Sequence, residues 1–248
     1  MPIVRILLVL LALASPALAQ DGARDAATAQ EAAQAFRVYV EGVTKTGGRP
    51  DPTRPEVAVL LGRIFDVGAL SALPPAQGSD MDWLLDWMHA AKETNKLLLF
   101  HDAKLEPQPD FAAIQRNATE YQDQYAAALN FMIRLQARQA VAGKMFMARL
   151  APKERTPVRE RAYVGFRNFA ANMIVENVCE VILGGAKSAN VHLVTAAIRD
   201  TREVWASFLL PQDRARVIEQ LTGVARRVTD ETARTDIAAF TAALQAVN

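Results

Sequence analysis

From Phe111 to Leu135 the apolar residues recur every three or four positions: Phe111, Ile114, Ala118, Tyr121, Tyr125, Ala128, Met132 and Leu135. On a strand, where side chains alternate between faces, this set would scatter over both sides. On a helix it makes one stripe. The pattern continues to Ala142 and Phe146 and predicts a single helix from about Asp110 to about residue 150, the longest of the chain. At about 40 residues it would span roughly 60 Å, with Gly143 as the expected kink. So narrow a stripe is the mark of an antiparallel-bundle seam or a short coiled coil.

The same period governs nearly every other segment, and sustained strand-like alternation is missing. Residues 25–43 form a first helix with Phe36, Val40 and Val43 on one side. Residues 44–55 then break it, with two glycines and three prolines in twelve positions. Residues 56–72 read as one or two short helices around Gly62 and Gly68, closed by Pro74-Pro75. A helix from Ser79-Asp80 to about Phe100 has acids at its positive end, and Leu105 to Pro109 is a proline-bounded loop. Thr156-Pro157 opens a helix that reaches Leu183 and stops at Gly184-Gly185. Three more follow, from Ser188, from Pro211 and from about Asp230. Short links between amphipathic helices, with no longer repeat, predict an all-α fold: an antiparallel bundle of about seven or eight helices, including two long central helices. Residues 20–248 are expected to form one all-helical domain in which 44–55 is a flexible loop.

The first nineteen residues carry a different signal. Arg5 precedes an apolar run from Ile6 to Ala14, and Ala17-Leu18-Ala19 stands just before Gln20. A short positive flank, a core of roughly 7–15 apolar residues and a small-x-small exit form the pattern of a cleaved secretory signal. The run is too short for a membrane span, which needs about 20 residues. Cleavage near Ala19-Gln20 and a periplasmic or secreted location are therefore expected. Without Arg5 the chain has 27 basic and 27 acidic residues, a balance that offers no general affinity for nucleic acid. The one cysteine, Cys179, cannot form an internal disulfide and reads as a small buried hydrophobe. No Cys-x-x-Cys-His occurs, which excludes a c-type haem.

The well-spelled catalytic motifs are absent: no Gly-x-Ser-x-Gly, phosphate loop, dinucleotide glycine cluster or His-Glu-x-x-His. Asp86, His89 and Glu93 share a helical face, but the second Glu-x-x-His unit of a di-iron bundle is missing, so the plain reading is a solvated face. No metal or cofactor is predicted. Two features stand out. Asn168, Asn172, Glu176 and Glu180, in steps of four, draw a polar line along the otherwise apolar helix 157–183. That line is either a wet face or, if the helix is central, a buried line able to hold a small ligand or metal or to support an enzyme. Second, residues 144–167 form a basic elbow: Lys144, Arg149, Lys153, Arg155, Arg159, Arg161 and Arg167 against Glu154 and Glu160. Arg155, Arg159 and Arg161 either pair inside the molecule with Asp80, Asp82 and Asp86, the favoured expectation, or face an anionic membrane surface. The reading taken is a non-catalytic periplasmic binding or scaffold protein. Its partner is another periplasmic protein or an anionic membrane surface, with no nucleic acid.

Overall fold

A computed structural model describes residues 3–103 and 110–247, with side chains from Asp21 onward. The molecule is all-α, with no strand among the described residues. The N-terminal helices are α1 (Ile3–Lys45), α2 (Pro55–Ile64), α3 (Val67–Ala72) and α4 (Met81–Leu99). Then come α5 (Phe111–Glu120), α6 (Gln122–Arg149) and α7 (Pro157–Met173), which passes through a π turn (Ile174–Val178) into α8 (Cys179–Leu183). The C-terminal set is α9 (Ser188–Asp200), α10 (Arg202–Phe208), α11 (Pro211–Ala225) and α12 (Glu231–Gln245). The expected loop Leu105 to Pro109 lies outside the described residues, as do Met1 and Pro2 of the expected signal.

Helix α6 is the axis. One group, α1 with α2 and α4, packs on it through α4, and a second, α9 with α12 and α11, packs on it through α9. With neighbours on both sides, α6 is buried almost all round: between Tyr125 and Gly143 only Ala127, Arg134, Arg138 and Val141 are even partly exposed. The narrow stripe expected from the spacing is thus only one side of a fully enclosed helix. Ala126, Ala128, Ala137, Ala140 and Ala142 keep its girth small, so the flanking helices come close. Phe131 fills the widest gap, its ring 5.2 Å from that of Trp87, whose indole N–H donates to the Ile64 carbonyl at 2.9 Å. Some polar residues of α6 find partners, whereas the amide of the fully buried Gln136 has none among the described residues. Gln139 donates to the Leu84 carbonyl at 2.8 Å, and the Arg138 guanidinium reaches the carbonyls of Leu70, Leu73 and Pro74.

The expected single helix over 110–150 is two. It divides at Tyr121, whose backbone leaves helical geometry (φ −100°, ψ 25°) while its buried hydroxyl donates to the Pro50 carbonyl at 3.0 Å. Beyond that break α5 turns Ala113 and Asn117 inward and leaves Phe111 73% exposed, so the seam does not extend to Phe111. Gly143, where a kink is expected, does not end the helix, and α6 runs through it to Arg149. Nor is 110–150 the longest element; α1 is, with 43 residues, and the expected helix 25–43 is its later part. Gly47 ends α1 with a φ of +70°, and Gly185 follows α8 with a φ of +76°, conformations that cost glycine nothing. The segment 44–55 is tied to α5 by Arg49, which donates to Asn117 at 2.6 Å and to Glu120 at 2.8 Å.

Candidate functional site

The elbow is where α6 ends, a short 3-10 turn (Pro152–Glu154) intervenes and α7 begins. Leu150 leaves helical geometry, Pro152 opens the turn, and the Thr156 hydroxyl caps α7 by accepting from the Arg159 N–H at 3.4 Å. Of residues 152–165 only Tyr163 is even partly buried. The favoured expectation, internal pairing of Arg155, Arg159 and Arg161 with Asp80, Asp82 and Asp86, is not what the molecule does. Asp80 is buried and accepts from the Gln77 N–H at 2.7 Å. Asp82 and Asp86 are both exposed. Arg159 and Arg161 reach only nearby carbonyls, those of Glu154 (2.7 Å) and Pro157 (3.3 Å). The pairing fails because α7 starts on the far side of the 3-10 turn, with its first two turns projecting away from neighbours.

Among the described residues, none of Lys144, Arg149, Lys153, Arg155, Arg159 and Arg161 makes an ion pair. Arg167 is different. It donates to the Phe208 carbonyl at 2.6 Å and lies over the rings of Tyr163 and Phe208, fastening α7 to α10. Large apolar side chains stand among the free cations: Val158 is 66% exposed, Val164 43% and Phe146 39%. The spacing of α7 gave no warning of these.

The polar line lies toward solvent. Asn168, Glu176 and Glu180 are exposed, and Asn172 is half-buried and accepts from Arg216 of α11 at 2.7 Å. The helix carrying it sits at the margin of the bundle, not at its axis. The π turn also interrupts the line's phase, and Asn177, which the steps of four omit, joins Glu180 near the Tyr125 hydroxyl, at 3.2 and 3.5 Å. Burial and the nearby Glu180 carboxylate push the Tyr125 phenol well above its ordinary value, so it stays protonated.

Two constellations resemble catalytic ones and differ in geometry. Ser188, His192 and Asp230 meet where α9 and α12 begin. The Ser188 hydroxyl donates to one Asp230 oxygen at 2.6 Å, while His192 Nε2 lies 2.6 Å from the other. In a serine triad the imidazole takes the hydroxyl proton on one nitrogen and is held by the acid through the other. Here the acid accepts the hydroxyl's hydrogen bond itself and also holds Nε2, the same nitrogen that lies at a long 3.5 Å from the Ser188 oxygen. Asp230 also accepts from the Ala233 N–H at 3.0 Å, so the cluster is a helix cap tying α9 to α12. Ser188 and His192 stand four apart on α9, but Asp230 is 42 residues from Ser188, and nothing local announces that it joins them. Cys179 is half-buried, and burial pushes its thiol up, away from the thiolate that a nucleophile requires. Asp86 and His89 are exposed and Glu93 is held by Lys96 at 2.9 Å; among the described residues no three such groups are placed to hold a metal ion. Comparison with protein-family models, with curated proteins and with solved structures finds no match.

Proposed function

We propose that this chain is an exported, non-catalytic helical binding protein that docks through the elbow 144–165 onto an anionic lipid surface of the periplasm. The observation that carries the reading is the set of six cations without an acidic partner among the described residues, interleaved with exposed Phe146, Val158 and Val164. Cations alone would suit an acidic protein as well. The apolar side chains favour a lipid surface, because they gain burial in the headgroup boundary while the guanidinium groups stay among phosphates. The bundle behind the elbow acts as a rigid mount, with Arg167 fixing α7 to α10.

Near an anionic membrane each basic side chain is worth about 1 kcal/mol. Replacing Arg155, Arg159 and Arg161 together by glutamine should therefore weaken binding by on the order of a hundredfold. The test is co-sedimentation with vesicles of mixed zwitterionic and anionic lipid at low and physiological salt. Wild type should sediment with anionic vesicles in a salt-sensitive way, and the triple variant should remain in solution. Wild type that ignores anionic vesicles at low salt refutes the lipid surface. Capture by an acidic protein alone would move the same face to a protein partner.

A further inference from the structure

The helix from Pro157 to Leu183 leaves α geometry in one place, the π turn Ile174–Val178. Such turns are rare, and they gather at functional sites because an inserted residue re-aims its neighbours at the cost of a regular ladder. On the near side of this turn Asn172 is directed to Arg216, and on the far side Glu180 faces Tyr125 of α6. Between Glu180, Tyr125, Gln122 and the glycines Gly184 and Gly185 lies a cleft of about 180 Å³. Taking water's share of about 30 Å³ as a yardstick, it admits on the order of half a dozen non-hydrogen atoms.

The chemistry of the cleft is one-sided. Glu180 brings a carboxylate that makes no ion pair among the described residues. Lys187, the cation on the adjoining turn, is committed to both oxygens of Asp123 at 3.0 and 2.8 Å. The Gln122 amide oxygen faces donors already, accepting from the Lys187 N–H at 3.1 Å. The Tyr125 hydroxyl, spending its proton on Asn177, has a lone pair left to accept with. One negative charge beside a neutral hydroxyl acceptor repels carboxylate and phosphate ligands, and it falls short of the three protein ligands that a zinc site uses.

We infer that this cleft binds a small aliphatic primary ammonium, with Glu180 as countercharge and the Tyr125 oxygen accepting one of its remaining N–H groups. The glycines at the rim leave the alkyl tail an open way in. The site is separate from the elbow and does not depend on membrane docking.

Calorimetric titration of the full chain at physiological salt with butan-1-amine, butan-1-ol and butanoate tests this, because the three share a tail and differ in the head group. Saturable one-to-one binding is expected for the amine alone. Glu180→Gln, a change at an exposed position that leaves the fold intact, should weaken it at least tenfold. Tyr125→Phe, with its helical circular dichroism checked, should weaken it several-fold. Absence of saturable amine binding by wild type, or equal affinity in Glu180→Gln, overturns the inference.

Discussion

Helix α6 from Tyr125 to Gly143 and the head of α7 from Pro157 to Gly165 are separated by one short turn, yet they treat their side chains in opposite ways. Within this stretch of α6 both arginines are engaged: Arg134 donates to Asn130 at 2.9 Å and to Asp200 at 2.7 Å, and Arg138 reaches a run of carbonyls. At the head of α7 the arginines reach only the backbone of their own elbow, and Val158 faces water. The difference does not come from composition, since both stretches mix bases with apolar residues. It comes from neighbours: α6 has a helix group on each side, while in the first two turns of α7 only Tyr163 is partly buried, against Phe208. A protein that engages the cations of the enclosed stretch of α6, yet among the described residues leaves six without an ion pair from the end of that helix to the head of α7, presents those six to something else.

The largest effect should separate the two regions by stability. Phe131→Ala, which empties a fully buried site against Trp87, should cost about 3–5 kcal/mol in urea unfolding. Val158→Ala should stay within about 0.5 kcal/mol. Comparable losses at the two positions would break the contrast.

A pair of glycines sharpens it at the end of α6. A Cβ on Gly78 would stand 3.0 Å from the Phe146 nitrogen and 3.1 Å from its Cα, and backbone yields poorly. Gly78→Ala should therefore cost about 1–3 kcal/mol. A Cβ on Gly143 would meet the Tyr163 ring at an ordinary 3.6 Å. Gly143→Ala should instead add about 0.5–1 kcal/mol, the helical preference of alanine over glycine. Both are read from shifts in the urea midpoint, and a gain at Gly78 would show that the tip of α6 is not fixed where described.

A smaller effect is expected where α9 meets α12. Hydrogen bonds from Ser188 and the Ala233 N–H, and then the contact with His192, hold Asp230 well below its ordinary value of 3.8. A carboxylate depressed on folding contributes stability above its unfolded value and loses it as pH falls toward the folded one. The melting temperatures of wild type and Asp230→Asn should accordingly differ by a constant amount from about pH 5 to about pH 7 and converge as pH drops below 3.8. A gap that widens on acidification would contradict this assignment. The smallest change belongs to the elbow itself: the triple arginine-to-glutamine variant should unfold within about 1 kcal/mol of wild type, since exposed unpaired charges add little to stability.

Helical period alone carried most of the fold, because most of the apolar faces that it marked had a neighbour to bury them, Phe111 and Phe146 being exceptions. It failed where one distant contact outweighed local preference. The break at Tyr121 follows from its hydroxyl reaching Pro50, 71 residues away, a bond that no periodicity records. Gly143 does not end the helix, since a glycine's helical cost of about 1 kcal/mol is small beside the burial that surrounds α6. For the elbow, the excess of bases was plain in the sequence, but whether they were paired was not, because pairing depends on where α7 starts relative to α4. The line Asn168, Asn172, Glu176 and Glu180 was equally visible as a pattern. Which side it faced depended on α7 and α8 lying at the bundle's margin, and the π turn that brings Asn177 in leaves no mark in apolar spacing.

The most direct measurement places an environment-sensitive fluorophore on the elbow and, separately, on a distant exposed valine. In a Cys179→Ser background, Val158→Cys and Val59→Cys are each labelled and mixed with anionic vesicles at low salt; both positions are open, 66% and 53% exposed. If the elbow is the contact face, emission from position 158 shifts to the blue and reverts on adding salt, while emission from position 59 on α2 stays unchanged. An unchanged signal at 158, or equal shifts at both positions, would contradict the account.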